Sequence, residues 1–358
     1  MARRLIAFAA VAALVAGAAC DEAPEVAPPE PRAGPRIVVG AFDFTESELL
    51  AEIYAQALVA HRYDAVVRRD LDFDASVGAF EEDRVGLLVE YTGHALRSFR
   101  TAEEVTARSP ERITRALAEE LREHRLRLYQ AGSAENRDTF VVTERTAKRW
   151  KLRDISDLRR IQRVSKRRLR LGAPPGCDTR LSCLRGLREV YGLNPRFIEL
   201  DAAGPRTLRS LEKGTVDFAL MYSSQGALHA NDLVQLRDDR RLQLPQHLVP
   251  VVHQRIHAAY SPGLRKLIDR ITRALKPDVL IALNQRTEVA AQDPAQVARR
   301  WLRRSGLLEP ERGAGKGKGK GEGRPGKPGG KKQERGEGRA VNSQRQGRSL
   351  SERTFARL

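Results

Sequence analysis

What most constrains this chain is a hydrophobic pattern that keeps switching between two periods. Ile37-Val38-Val39 is a short β-branched run that stops at Gly40. Leu49, Leu50, Ile53, Tyr54 and Leu58 follow at helical spacing, with Thr45-Glu46-Ser47-Glu48 ahead of them as a cap and acidic first turn. Ala65-Val66-Val67 and Val85 to Val89 read as the next strands, and Thr101 to His124 as one long charged helix. A second block repeats the alternation. Phe140-Val141-Val142, Leu169 to Leu171 and Phe218 to Met221 are strands, with a helix at Leu184 to Tyr191. Short apolar runs separated by amphipathic helices predict an α/β architecture, in which helices cover a largely parallel sheet. From Gly263 to Leu308 the period is helical almost throughout, and Val297, Trp301 and Leu307 form a packing face.

The two ends have a different character. Arg3 and Arg4, the apolar stretch Leu5 to Val15 and the small residues Ala16 to Ala19 form an export signal over residues 1–20. Cys20 follows directly, as in a bacterial lipoprotein signal whose cysteine takes a diacylglyceryl group; cleavage by an ordinary signal peptidase is the other reading. Asp21 to Pro35 is rich in Pro, Ala and Glu and suits a tether. The net charge of +18 is concentrated in Gly313 to Leu358, where 13 basic residues stand against 4 acidic ones. Arg3 and Arg4 carry two more, so the intervening body is only mildly basic, which is not the pattern of a dedicated nucleic-acid-binding domain. The Gly/Lys/Arg-rich stretch 311–358 reads as a disordered basic tail, able to touch anionic surfaces by charge alone or merely solvated.

Three cysteines exclude a four-cysteine metal site. With Cys20 set aside, Cys177 and Cys183 remain, six positions apart; in an exported chain they pair as a disulfide, with two free buried thiols as the alternative. Gly-x-x-x-x-Gly-Lys-Ser/Thr, Gly-x-Ser-x-Gly and His-Glu-x-x-His are all missing from the sequence, so neither a nucleotide loop nor a hydrolase motif is present. His253 and His257 lack a third ligand nearby. No metal, cofactor or catalytic role is assigned, and binding is the expected activity.

Three segments, taken in order, resemble one family. They are Ile37 to Ser47 running into Leu49 to Leu58, then Glu90-Tyr91-Thr92-Gly93, then Asn231 to Asp239 followed by Val249-Pro250-Val251-Val252. Together they are similar to the substrate-binding proteins of osmoprotectant ABC importers, which take glycine betaine, choline or carnitine. The resemblance implies a type II periplasmic-binding-protein fold, two α/β lobes joined by two crossovers, with ligand clamped between them. The expected division is 36–139 and 246–310 for lobe one and 140–245 for lobe two. It also implies an extracytoplasmic, lipid-anchored protein that hands its solute to separate permease and ATPase subunits. A different small zwitterion or amino-acid-like solute in the same fold, or a surface scaffold acting through the tail, are the alternatives.

A quaternary ammonium has no N–H to donate, so aromatic faces must recognise it. With 10 Phe, 7 Tyr and 2 Trp, rings in matching motifs carry weight. Tyr91 matches a cage tyrosine of the family, and Phe140, beside Asp138, falls where another is common. Tyr222 follows an apolar strand, with Ser224 close behind it; Phe42 and Phe44 follow the first strand. The resemblance implies Arg180, in the Cys177–Cys183 loop, as the carboxylate anchor, and Thr92 and His94 as further ligand contacts. Relatives often carry Lys at the position of Phe42, Thr at that of His94 and an aromatic near Gln246.

Overall fold

The computed structural model describes residues 30–72, 76–100, 105, 109–201 and 203–308. The signal with Cys20, most of the tether and the basic tail therefore lie outside the described residues. The first half holds β1 (Ile37–Phe42), α1 (Thr45–Ala60), β2 (Ala65–Leu71), α2 (Ser76–Glu81), β3 (Leu87–Tyr91), α3 (Thr92–Arg97), α4 (Pro110–Glu123) and β4 (Leu126–Leu128). Then come β5 (Asp138–Thr143), α5 (Glu144–Trp150), α6 (Ile155–Ser165), β6 (Arg170–Ala173), α7 (Leu184–Tyr191), β7 (Arg196–Glu199), α8 (Pro205–Glu212), β8 (Phe218–Tyr222), α9 (Gly226–Ala230) and β9 (Leu233–Gln235). β10 (Leu248–His253), α10 (Gln254–Tyr260), α11 (Gly263–Ala274), α12 (Pro277–Asn284), a π-helical turn (Gln285–Val289) and α13 (Pro294–Arg304) complete the series.

Two five-stranded sheets result, ordered β2-β1-β3-β10-β4 and β7-β6-β8-β5-β9. In each, four strands run in one direction, and one strand arriving from the other lobe runs against them: β10 between β3 and β4, β5 between β8 and β9. This is the two-lobed α/β binding-protein architecture. Alternation along the strands divides each core in two. On β3, Leu87, Val89 and Tyr91 face α1 and the C-terminal helices, whereas Leu88 faces Phe42, Leu117 and Val251. Leu264, Ile268, Ile271, Leu283, Val297 and Trp301 join that first cluster, so the C-terminal helices share a core with β1, β3 and α1.

Two local expectations change. α1 begins without a side-chain cap at Phe44, because the Ser47 hydroxyl instead accepts the Phe42 amide at 2.8 Å and fastens the strand-to-helix turn. The long charged helix starts at Pro110, behind a Ser109 cap on the Arg112 amide; proline at the first position presets the helical φ and forfeits only an N–H that had no partner.

The lobes are joined where two crossovers run side by side. The Asn136 amide donates to the Gln246 carbonyl at 3.0 Å, and the Leu248 amide to Ala134 at 3.0 Å. Arg137 and Ser223 exchange further bonds, the Ser223 amide donating to the Arg137 carbonyl at 2.9 Å. Cys177 and Cys183 are bonded, closing the loop that carries Arg180.

Candidate functional site

The lobe-one wall grows from the ends of β1 and β3, where the apolar strands stop and the chain turns into α1 and α3. Phe42 and Phe44 stack with ring centroids 5.9 Å apart, and Tyr91 follows at 6.3 Å from Phe44. His94 meets Phe42 edge-on at 6.4 Å. Phe42 is wholly enclosed among Leu71, Phe80 and Leu88, a packing position, whereas Phe44 stays half-buried. The aromatic wall thus consists of Phe44 and Tyr91, backed by Phe42.

Tyr91 is anchored from behind. Its hydroxyl donates to Glu46 Oε1 at 2.5 Å, and Asn136 Nδ2 donates to the same oxygen at 3.0 Å. Glu46 Oε2 accepts from Ser224 Oγ at 2.6 Å and from Asn284 Nδ2 at 2.5 Å. Four donors, from β3, the first crossover, the loop after β8 and α12, fill the acceptor positions of one carboxylate that is 2% exposed. Burial and the neighbouring Glu46 hold the Tyr91 hydroxyl proton far above the usual tyrosine range. Glu46, Asn136 and Asn284 escaped the sequence reading. Glu46 stood in plain view, but as an acidic first-turn residue it looked like helix-dipole compensation.

Thr92 and His94 serve the crossovers. Thr92 Oγ1 donates to the Pro245 carbonyl at 3.1 Å and accepts the His247 amide at 3.2 Å. A Cβ on Gly93 would stand 2.7 Å from that same carbonyl, which is why the motif needs glycine there. The His94 amide donates to Gln246 Oε1 at 2.9 Å, and its Nδ1 lies 3.2 Å from the buried Glu90 carboxylate. Gln246, where relatives place an aromatic, is therefore a crossover tie.

The lobe-two wall is polar. Asp138 and Tyr222 are register partners across β5 and β8, both half-buried. Burial raises the Asp138 carboxyl, opposed by Arg180, by a hydrogen bond from Ser182 and by Arg97 of α3. Burial raises Tyr222 too, Asp138 adding to the shift and Arg180 opposing it. Arg180 Nε and Nη2 are enclosed and meet no hydrogen-bond acceptor among the described residues. A buried guanidinium left so is costly, and a planar carboxylate is the group that best matches its donors. Ser224 is buried and committed to Glu46, so its hydroxyl holds the lobes together.

Phe140 is placed elsewhere. Its ring is fully enclosed in the lobe-two core, 6.0 Å from Phe218, with Leu158, Leu187 and Tyr191 around it. A phenyl without a hydroxyl has no polar end to keep at a surface, and the core absorbs it. Of the sequence candidates, Phe44 and Tyr91 thus lie together on one side, and Asp138, Tyr222 and Arg180 on the other, with Arg97 of α3 acting on Asp138. Among the described residues no group of three His, Cys, Asp or Glu side chains is arranged to hold a metal ion, and no helix is long and apolar enough to cross a membrane.

Known proteins share this organisation. The family described as the substrate binding domain of ABC-type glycine betaine transport systems matches residues 35–304. A glycine-betaine-binding protein of Pseudomonas aeruginosa is 27% identical over 286 residues, 76% of this chain and 88% of that protein. A glycine betaine/carnitine/choline ABC transporter structure superposes with a TM-score of 0.67 at 21% identity, covering 76% of this chain and 100% of the other. Ligand-free YehZ from Escherichia coli gives 0.63 at 23%, covering 76% and 99%. Lactococcal OpuAC, closed on glycine betaine, gives 0.53 at 12%, covering 76% and 97%. These structures share the fold, and with residues 35–304 matched the chain belongs to the family of substrate-binding domains of ABC-type glycine betaine transport systems.

Proposed function

We propose that the cleft binds a small quaternary-ammonium zwitterion of the glycine betaine or carnitine kind, or choline, and presents it to the permease and ATPase subunits of an importer. The observation that carries this reading is the guanidinium of Arg180, whose enclosed Nε and Nη2 meet no acceptor among the described residues; the anchored rings of Tyr91 and Phe44 support it. Trimethylammonium has only C–H groups to offer, and aromatic faces attract its diffuse charge at about 0.5–2 kcal/mol per ring. Asp138 adds negative charge on the cation's side, and Arg180 takes the carboxylate in the loop stiffened by Cys177–Cys183. Delivery of solute from outside the cell fits export through residues 1–20, with Cys20 as the lipid-anchored first residue and 21–35 as the tether. We read 36–139 with 246–310 as lobe one and 140–245 as lobe two, and the ligand as lying between them. Binding without chemistry is the function assigned, with no cofactor and no specific nucleic acid.

A second reading rests on one observation. Phe42 and Phe140 both lie in cores, so fewer rings reach the cleft than a full cage uses. An amino-acid-like zwitterion could then donate N–H bonds to Asp138. Equilibrium dialysis with labelled glycine betaine tests the first reading. Saturable binding that Tyr91→Ala abolishes supports it, and binding that is indifferent to Tyr91→Ala defeats it.

A further inference from the structure

Glu46 contacts no exposed surface and carries none of the residue types expected of an aromatic cage, yet it is the most heavily coordinated side chain at the boundary. It accepts from Tyr91, Asn136, Ser224 and Asn284. One role is mechanical, since those donors come from both lobes and a crossover. The Tyr91 bond adds something a latch would not need. A phenol that donates to a carboxylate shifts electron density into its ring and so strengthens the negative face that a cation sees. The bond also fixes the ring's tilt against Phe44, 31° at 6.3 Å.

Resting on the reading of a quaternary-ammonium cleft, we propose that Glu46 is a positioning and specificity-determining residue, which through its hydrogen bond to Tyr91 makes the site favour a cation over a neutral group of the same shape. Its charge is shielded from water and lies at the hydroxyl end of the ring, where it acts on the cation through low-dielectric protein. The four donors keep that charge from seeking any other partner, so it acts through Tyr91 and at a distance without ion-pairing directly with the ligand. Glu46 is therefore not a ligand contact, and removing its charge should alter selectivity more than fit.

The test uses two ligands that differ only in charge at one atom, glycine betaine and 3,3-dimethylbutanoate, whose tert-butyl group replaces trimethylammonium. Both keep the carboxylate for Arg180. Calorimetric titration of the wild type, Glu46→Gln, Tyr91→Phe and Ser223→Ala gives the affinity ratio for the pair. In Glu46→Gln the preference for glycine betaine falls by about tenfold while 3,3-dimethylbutanoate binding changes by less than about twofold. Tyr91→Phe, which keeps the ring but cuts the bond, loses most of the same preference and serves alone if Glu46→Gln does not fold. Ser223→Ala removes a tie to the Arg137 amide, outside the Glu46 set, and keeps the wild-type ratio. Equal weakening of both ligands in Glu46→Gln, the same loss of preference in Ser223→Ala, or an unchanged ratio in Tyr91→Phe, overturns the proposal. A wild type that binds neither ligand defeats the quaternary-ammonium reading itself.

Discussion

Arg180→Gln should separate the two halves of the ligand. In the wild type, Arg180 Nε and Nη2 are enclosed without an acceptor, inside a loop pinned by the Cys177–Cys183 bond. A bound carboxylate would supply two charge-assisted hydrogen bonds, each worth about 1.5–3 kcal/mol where donor or acceptor is charged. Part of the loss is offset because the glutamine amide can still donate, at shorter reach. A net loss of about 2 kcal/mol remains, or roughly 30-fold in dissociation constant. Choline, which has no carboxylate, loses no such bonds and should change by less than about threefold. Folding stability should fall slightly, because the substitution removes the positive charge that opposes the burial of the Asp138 carboxylate. Its cost is felt at Asp138, which Arg180 helps keep ionised, so the Asp138 carboxyl moves further up. Isothermal calorimetry of glycine betaine and choline on both proteins, with melting curves alongside, reads every one of these effects. Equal losses for the two ligands, or no loss for glycine betaine, would refute carboxylate capture by Arg180.

Other expectations are equally concrete. Phe140→Ala opens a cavity in the lobe-two core beside Phe218 and should cost about 3–5 kcal/mol of stability, read by denaturant unfolding, with ligand affinity in the folded protein nearly unchanged. Glu288 accepts the Gly226 amide at 2.7 Å, and burial, with Glu46 nearby, lifts its carboxyl from 4.5 to about 7. A raised carboxyl pKa in the folded state means that its contribution is fully present below about pH 4.5 and is lost as pH rises toward 7. Glu288→Gln should therefore raise the melting temperature at pH 8 but not at pH 4.5, by an amount equivalent to about 1–3 kcal/mol. A Cβ at Gly226 would stand 2.6 Å from the Gln285 amide nitrogen, so Gly226→Ala should loosen the contact between α9 and the π-helical turn. Its cost of about 1–3 kcal/mol should appear in the melting curve together with faster amide exchange at 284–288.

Much of this molecule was legible in its sequence because the strands are short, β-branched and bounded by glycine or polar turns. Ile37 to Val39, Phe218 to Met221 and α7 read correctly from period alone. The boundary of α4 did not, because a charged amphipathic pattern does not announce where a proline will restart it. The site was half legible. Glu90-Tyr91-Thr92-Gly93 pointed to the right turn, yet three of its four residues turned out to secure crossovers or a histidine, and only Tyr91 presents a ring. Such ties depend on residues 153 and 152 positions away, Pro245 and Gln246, whose proximity no local pattern encodes. Phe140 shows the complementary limit: a ring beside a polar strand end reads the same whether it faces cleft or core. Glu46 shows another, since a buried carboxylate is recognised by its donors, and those come from four separate elements.

What enters the cleft decides the function of this protein. Calorimetric titration of residues 21–312 with glycine betaine, choline, carnitine and proline betaine, and in parallel with proline, glycine and arginine, addresses that directly. Saturable binding of one or more trimethylated or dimethylated ammonium solutes, with no heat from the amino acids, is the predicted result. Binding of a primary or secondary amine in preference to every quaternary one would contradict it.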